Sequence, residues 1–565
     1  MGTKPLRVGV LCDSLRFAAW QMECLQRVHA TDGIEIALFI INDEPPAPRR
    51  SFAQKLRRNL TNGLLLWRIY ERLVLAKAAS TKPVDLPDNL ADVPQLRVEP
   101  LRVGRFRQAF DASAIDRLRS YDLDVLVRFG FGILTGNVLD TARYGIWSYH
   151  HGDPKEFRGA PPGFWEIHNG SPVTGVVLQR LTESLDGGVI LRSGRFKTIN
   201  TSYRRSLDRI FFGASSFIAA SLKGLCRNPE SFANATALQE SGPIYRYPRN
   251  GAMLRFLVKS WERKLRDPLI SMVRHQQWAL GLIDMPVERL FEYAARKEAL
   301  PSPRWLPERK SRFLADPMIF GTDGSLTLLA EEFDWRTGVG HITRVEDVDG
   351  GSATADVIRT PHHLSYPYLV EHDGELYCIP ESAESGRVTL YRLDRGTGAW
   401  AEDKVLIDGF PAVDPTLFEH EGRWWLLCTD AEAGANEVLH AWTSDGLLGE
   451  WTPHAANPIK IDVASTRPAG PPFRHDGHLI RPAQDCSRQY GGALVFNRIL
   501  KLSPEEFVEE PVARLEPDLN GAYPAGLHTI CGAGGTTVID GARYTFFASE
   551  MRRAIARKLR LGKRR

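Results

Sequence analysis

Residues 122–191 read DLDVLVRFGFGILTGNVLDTARYGIWSYHHGDPKEFRGAPPGFWEIHNGSPVTGVVLQRLTESLDGGVIL. The stretch opens on the apolar run Asp122–Arg128 and continues an α/β texture to about Leu225. The same texture begins upstream. Leu6–Leu11 is a short apolar run leading into the amphipathic segment Phe17–Val28, and Ile34–Ile41 is a second apolar run. Strand, helix, strand is the start of a parallel sheet covered by helices. The first 225 residues are therefore expected to form one Rossmann-like α/β domain. Asn59–Ala79 reads as a helix rich in Leu, Trp, Ile and Tyr beside Arg68, Glu71 and Arg72. A packed lid or domain-contact helix is expected there, with an interfacial helix as the alternative.

Residues 226–305 read as a mixed helical connector, with helical stretches near Met253–Leu265 and Val287–Arg296. Pro301, Pro303 and Pro307 mark its end. Beyond it the chain changes to short strands and acidic-Gly turns. Five segments share an apolar run, such a turn and a second apolar run: Pro317–Ala330, Tyr366–Ile379, Pro415–Cys428, Pro472–Ile480 and Thr536–Phe547. Their turn pairs are Asp323-Gly324, Asp373-Gly374, Glu421-Gly422, Asp476-Gly477 and Asp540-Gly541. Each is a hairpin signal, and the turn glycines lie 50, 48, 55 and 64 residues apart. That period suits one four-stranded blade per repeat. An all-β five-bladed propeller over residues 306–550 is expected, with an irregular β-sandwich as the alternative. A basic tail, 551–565, follows.

Of 565 residues, 43% are hydrophobic and 25% charged, which excludes disordered, collagen-like and coiled-coil chains. The seven cysteines are odd in number and contain no Cys-x-x-Cys, against a disulfide framework or a thiolate zinc site. No metal is expected. No secretory signal and no transmembrane stretch is visible, so a cytoplasmic location is expected. The net charge is +4, but the last fourteen residues hold eight Lys/Arg and no acid, leaving the body at 4 − 8 = −4. That balance argues against a nucleic-acid partner. The tail is expected to be solvated, with weak contact to an acidic surface as the alternative.

The opening block carries several motifs in order: Asp124-Val125-Leu126-Val127, Gly132-Ile133-Leu134, Arg158-Gly159, Thr174-Gly175-Val176 and Leu185-Asp186-Gly187-Gly188. This series resembles the N-terminal domain of the folate-dependent formyltransferases, which include the methionyl-tRNA and sugar N-formyltransferases. The resemblance implies that His150 and Asp186 are catalytic and that Ser148 stands where the family has asparagine. It implies 10-formyltetrahydrofolate as formyl donor. The donor would be held at Phe131, Gly132, Ile133 and Leu134, and at Thr182, Glu183, Ser184 and Leu185. The acceptor implied is an amine, expected on an amino sugar or glycoconjugate. The chemistry suits these residue types. Attack by an amine on a one-carbon acyl group builds negative charge on oxygen, which needs a positioned donor, and it releases a proton that needs an acceptor.

In the repeat region Ala315-Asp316-Pro317 and Val413-Asp414-Pro415 open the first and third repeats, and Pro380-Glu381-Ser382 ends a strand of the second. Asp316, Glu381 and Asp414 are expected to face one sugar-binding pocket. This arrangement resembles five-bladed propeller glycosidases, and more closely the N-terminal domain of plant glucosamine inositolphosphorylceramide transferases. Ser365-Tyr366-Pro367, Ile379-Pro380-Glu381-Ser382 and Arg481-Pro482-Ala483-Gln484-Asp485 carry the second likeness. The expected function is formyl transfer with a carbohydrate-recognising propeller. The alternatives are a carbohydrate-binding protein with an inactive formyltransferase-like domain, or a propeller glycosidase.

Overall fold

Apolar runs too continuous for a one-sided sheet build the first unit. Leu6–Cys12 and Ile34–Asn42 are buried along most of their length, as strands covered on both faces must be. The computed structural model describes residues 4–46, 48, 51–104, 106–183, 188–233, 242–299, 301–322, 325–346, 353–548 and 551–553. It divides into two compact units, residues 1–264 and 265–565.

The first unit is organised on a seven-stranded sheet. Its order is Val189–Lys197, Val173–Arg180, Ile146–His150, Val125–Arg128, Leu6–Cys12, Ile34–Asn42, Gln95–Val98. The last five are mutually parallel, and the first two join antiparallel. From Leu6–Cys12 the chain steps outward through Ile34–Asn42 to Gln95–Val98, then returns to the other side with Val125–Arg128. The reversal opens a crevice beyond the carboxyl ends of Leu6–Cys12 and Val125–Arg128, the place where open α/β sheets bind ligands. Gly130 sits in it with no room for a side chain. A Cβ there would lie 2.4 Å from Asp13 N and 2.5 Å from Cys12 C. The expected helix at Asn59–Ala79 is two helices, Phe52–Thr61 and Leu65–Leu73, broken at Gly63, whose φ is +66°.

Among the described residues, the second unit holds five sheets of four principal strands. The first is Arg312–Thr322, Ser325–Asp334, Val339–Val345 and Thr354–Ile358. The second is Ser365–His372, Glu375–Glu381, Arg387–Leu393 and Trp400–Asp408. The third is Ala412–His420, Arg423–Asp430, Val438–Ser444 and Thr452–Pro453, with Lys460–Ile461 also pairing its third strand. The fourth is Phe473–His475, His478–Asp485, Ala493–Leu502 and Phe507–Leu515. The fifth draws on both ends of the unit: Ile530–Ala533, Thr536–Thr545, His275–Ile283 and Arg304–Trp305. The segment expected as a helical connector, 226–305, thus supplies two strands of a sheet, and the division of the chain falls inside it. Among its described helices are Pro229–Ala233, Asn250–Val273 and Val287–Arg296.

Three of the expected turns are present as two-residue hairpins with both residues at positive φ: Asp373-Gly374, Glu421-Gly422 and Asp476-Gly477. Such φ values match the twist of the flanking strands. Asp323-Gly324 lies outside the described residues. Asp540-Gly541 is not a turn. It lies inside the strand Thr536–Thr545, and the chain reverses instead at Gly534-Gly535, both at positive φ.

Three sheets open on the same irregularity. Asp316, Tyr366 and Asp414 each precede a proline, have φ of 51°, 44° and 50°, and sit at a slip in register. A bulge of this kind re-aims the side chains of its strand. The fourth repeat has Gly470 at the matching place, with φ +133°. A Cβ there would meet Ile530 O at 1.8 Å, so the missing acid is a steric requirement of the fold. All seven cysteines are free thiols, and among the described residues no helix is long and apolar enough to cross a membrane.

Candidate functional site

Three adjacent parallel strands of the first unit end side by side. Leu6–Cys12 leads to Asp13, Val125–Arg128 ends on Arg128, and Ile146–His150 ends on His150. Alternation along the last strand puts Ser148 and His150 on one face. Tyr149 takes the other face, where its hydroxyl donates to Ala214 O (2.8 Å). His151 packs beyond it, with its ring 4.1 Å from that of Phe211 and 5.1 Å from that of Trp20. Burial, helped by His150, pushes the His151 pKa down to about 3, so this ring is a neutral packing group.

Ser148 is buried and pairs in register with Arg128 of the neighbouring strand. The guanidinium donates to Ser148 Oγ from Nε (3.1 Å) and Nη2 (2.9 Å). Its Nη1 donates to Gly132 O (2.9 Å) and Phe131 O (3.4 Å). Ser148 Oγ therefore accepts two charge-assisted bonds, and its own hydroxyl donates to Tyr149 O (3.4 Å). His150 Nε2 lies 3.1 Å from Phe157 O. A carbonyl only accepts, so Nε2 carries the hydrogen and the neutral ring presents Nδ1 as an acceptor. Asp186 lies outside the described residues, as do Ser184 and Leu185.

The loop expected to hold a donor molecule is tied from within. Phe131, at φ +64°, donates its N–H to Asp13 Oδ1 (3.0 Å). Gly132 N donates to Gln108 Oε1. Glu183 accepts from Thr135 Oγ1 (2.6 Å) and Gly136 N (2.7 Å), which fastens the second expected segment, with Thr182 beside it, to the first. The Phe131 and Gly132 carbonyls each keep a second lone pair, and Ile133 exposes apolar surface while Leu134 is buried. Those groups fit a flat ligand that donates hydrogen bonds from one edge. Sequence reading missed Arg128 because an arginine inside an apolar run looks like a strand end.

The second unit gathers buried acids from several sheets. Asp316 and Asp414 are buried, and Glu381 is nearly so. Arg467 grips Asp414 with two bonds, Nε to Oδ2 (2.6 Å) and Nη2 to Oδ1 (3.2 Å), and lies 3.7 Å from Glu381 Oε2. Gln484 Nε2 donates to Asp414 Oδ2 (2.9 Å), and the ring of Tyr490 lies 4.9 Å from the guanidinium carbon. Burial and the Asp414 charge raise the Glu381 pKa well above the carboxylate range, and Glu381 hydrogen-bonds to Asp414. Burial also raises Asp316, to about 6, against the pull of His528.

Asp540 accepts from the backbone N of Asp316 (3.0 Å), His528 (3.0 Å) and Thr529 (2.9 Å). Its Oδ2 lies 2.6 Å from His528 Nδ1, and Asp316 Oδ1 lies 3.5 Å from His528 Nε2. Burial works against charge on His528, but Asp540 and then Asp316 outweigh it and raise its pKa. Trp278 stacks on the same ring at 3.9 Å. Asp316, His528 and Asp540 each offer a ligand atom within 4.8 Å of the others, a grouping that could hold a metal ion. Sequence reading named three members of this cluster and missed Arg467 and His528; it placed Asp540 in a turn and Gln484 in a motif without assigning either to the cluster.

Two family models match the chain. One, described as formyl transferase, matches residues 79–209. The other, described as glucosamine inositolphosphorylceramide transferase 1, N-terminal, matches residues 307–520. The chain is 36% identical over 210 residues to glucosamine inositolphosphorylceramide transferase 1 of Arabidopsis thaliana, covering 36% of this chain and 27% of that protein. It is 31% identical over 120 residues to the methionyl-tRNA formyltransferase of Lachnospira eligens, covering 21% of this chain and 38% of that protein. It thus spans well under half of each relative. Among solved structures, phosphoribosylglycinamide formyltransferase from Bacillus halodurans aligns at 16% identity over 40% of this chain and 97% of that chain, with a TM-score of 0.27. The chain carries a formyltransferase-like N-terminal domain followed by a domain similar to the N-terminal part of glucosamine inositolphosphorylceramide transferase 1.

Proposed function

We propose that this protein transfers a formyl group from 10-formyltetrahydrofolate to an amine of an amino sugar or glycoconjugate. The five sheets of its second unit act as a propeller that recognises the glycan. The observation that carries the reading is the placement of Ser148 and His150 on one strand face at the carboxyl end of the parallel sheet, with Arg128 bonded to the Ser148 hydroxyl. The loop Phe131–Leu134 and the segment with Thr182 and Glu183 would hold the donor. When bound, the donor supplies the formyl carbon that the amine attacks.

The chain's own residues then do two things. His150 Nδ1, with Nε2 fixed on Phe157 O, accepts the proton that the amine loses. Once protonated, it faces the formyl oxygen as a donor, and it would return that proton to the folate nitrogen as the bond from that nitrogen to the formyl carbon breaks. Ser148, polarised by the Arg128 guanidinium, turns its hydroxyl hydrogen from the long bond to Tyr149 O (3.4 Å) to the same developing charge. Asp186 is assigned the imidazole-orienting role on the strength of the family resemblance alone.

The test is formyl transfer to a panel of amino sugars, free and nucleotide-linked, followed by release of tetrahydrofolate. Ser148→Ala should lower turnover by about 10²–10³, the usual loss for one oxyanion donor. His150→Ala should lower it further, because a donor and the proton acceptor go together. If the wild type binds no folate at all, the proposal falls.

A second reading concerns the second unit alone. Glu381, whose pKa burial and the neighbouring Asp414 raise well above the carboxylate range, has the character of a glycosidase acid. Release of chromophore from aryl glycosides, abolished in Glu381→Gln, would favour it.

A further inference from the structure

The helix Asn250–Val273 packs Met253 and Phe256 inward. Within the first unit it turns Leu254, Val258 and Trp261 outward, with Trp261 68% exposed. The steps between them are four and three residues. That spacing keeps them along one side of the helix. The same helix carries Arg255, Lys259, Arg263, Lys264 and Arg266 against Glu262 and Asp267.

The helices Phe52–Thr61 and Leu65–Leu73 repeat this composition. Phe52, Leu56, Leu60, Ile69 and Leu73 are exposed, Phe52 at 79%. Lys55, Arg57, Arg58, Arg68 and Arg72 stand among them, and Glu71 is the single acid. They are fastened to the first turns of the long helix. Asn250 N donates to Gly63 O (2.7 Å), Leu66 N donates to Asn250 Oδ1 (3.0 Å), and the Tyr70 ring meets that of Phe256 at 5.7 Å. None of these exposed residues has a part in the proposed chemistry.

We propose that these helices form a membrane-docking surface that lies on a bilayer bearing anionic lipid headgroups. Large apolar side chains with a tryptophan, set among lysine and arginine, are the composition of helices that lie in the plane of an interface. Among the described residues no helix is long and apolar enough to cross a membrane. Charge selects the occupant. A second copy of the chain would bring the same basic flanks together, whereas an anionic leaflet attracts each Lys and Arg near it.

The experiment is sedimentation of the full chain with vesicles. The protein should pellet with phosphatidylcholine–phosphatidylserine vesicles and stay in solution with phosphatidylcholine alone. Raising salt from about 0.1 M to about 1 M, which shortens the Debye length from about 10 Å to about 3 Å, should weaken the binding. Val258→Glu with Trp261→Glu should lower the vesicle-bound fraction at least about tenfold, since two apolar side chains are lost from the interface. Phe52→Glu with Leu60→Glu gives an independent variant should the first fail to match the wild-type circular dichroism. No pelleting with the mixed vesicles overturns the proposal. So does binding unchanged in both variants but lost on deleting residues 554–565, which would assign it to the tail. A dimer that the variants dissociate, without vesicle binding, gives the face to a second copy and overturns it equally.

Discussion

Arg128 ends one strand and reaches sideways to the next. Its fork joins Ser148 Oγ to the carbonyls of Phe131 and Gly132, and so couples the proposed reacting face to the proposed donor loop. Arg128 is a positioning residue, and its removal should be read in two parameters. Arg128→Met takes two charge-assisted bonds from Ser148, each worth about 1.5–3 kcal/mol in stability terms. Turnover should fall by about tenfold to 10²-fold, and KM for the folate donor should rise because the loop carbonyls lose their tether. Arg128→Lys keeps the charge but not the fork and should recover only part of the loss. A variant with unchanged kcat and KM would remove Arg128 from the account. His150 was legible because it stands in a run of ordered motifs. Arg128 was not, because only the register Ser148↔Arg128 reveals what its side chain meets.

At the scale of the element, the hairpins of the second unit follow rules that a sequence states openly. Asp-Gly and Glu-Gly pairs between apolar runs mark turns needing positive φ, and three are found where expected. Asp540-Gly541 carries the same signal and yet runs through a strand, because Gly534-Gly535 reverses the chain first. The pair then serves burial, with Asp540 accepting three backbone N–H groups. Glycine likewise has two meanings here. Gly422, at φ +75°, has nothing within 4 Å of an added Cβ, so Gly422→Ala should cost only about 1 kcal/mol of backbone strain. Gly470, at φ +133°, would drive its Cβ to 1.8 Å from Ile530 O. Gly470→Ala should therefore cost more than about 3 kcal/mol, since the strand carrying Ile530 must move as well. Urea unfolding of the two variants, followed by tryptophan fluorescence, checks the order; equal costs would mean that the Ile530 contact yields.

Across the whole molecule, the sequence shows two textures, and the structure has two compact units. What composition could not show is how the second unit closes. Its first strand, His275–Ile283, lies in what reads as a connector, and it pairs along its length with Thr536–Thr545 near the end of the chain. Pairings of that sequence separation leave no local mark. They also make the final strand indispensable. Removing everything after Ala533 would strip His275–Ile283 of its long partner, expose buried Leu280 and Leu282, and delete the Asp540 carboxylate that holds Asp316, His528 and Thr529. Buried donors left without an acceptor each cost about 1–3 kcal/mol. Together with the lost apolar burial, this approaches the whole stability of an ordinary domain, about 5–15 kcal/mol. The truncated chain should lose the cooperative thermal transition of the second unit and keep that of the first, while deletion of residues 554–565 alone should change little. Calorimetry on the three chains decides it. If the chain ending at Ala533 keeps both transitions at their original temperatures, the unit does not depend on pairing its two ends.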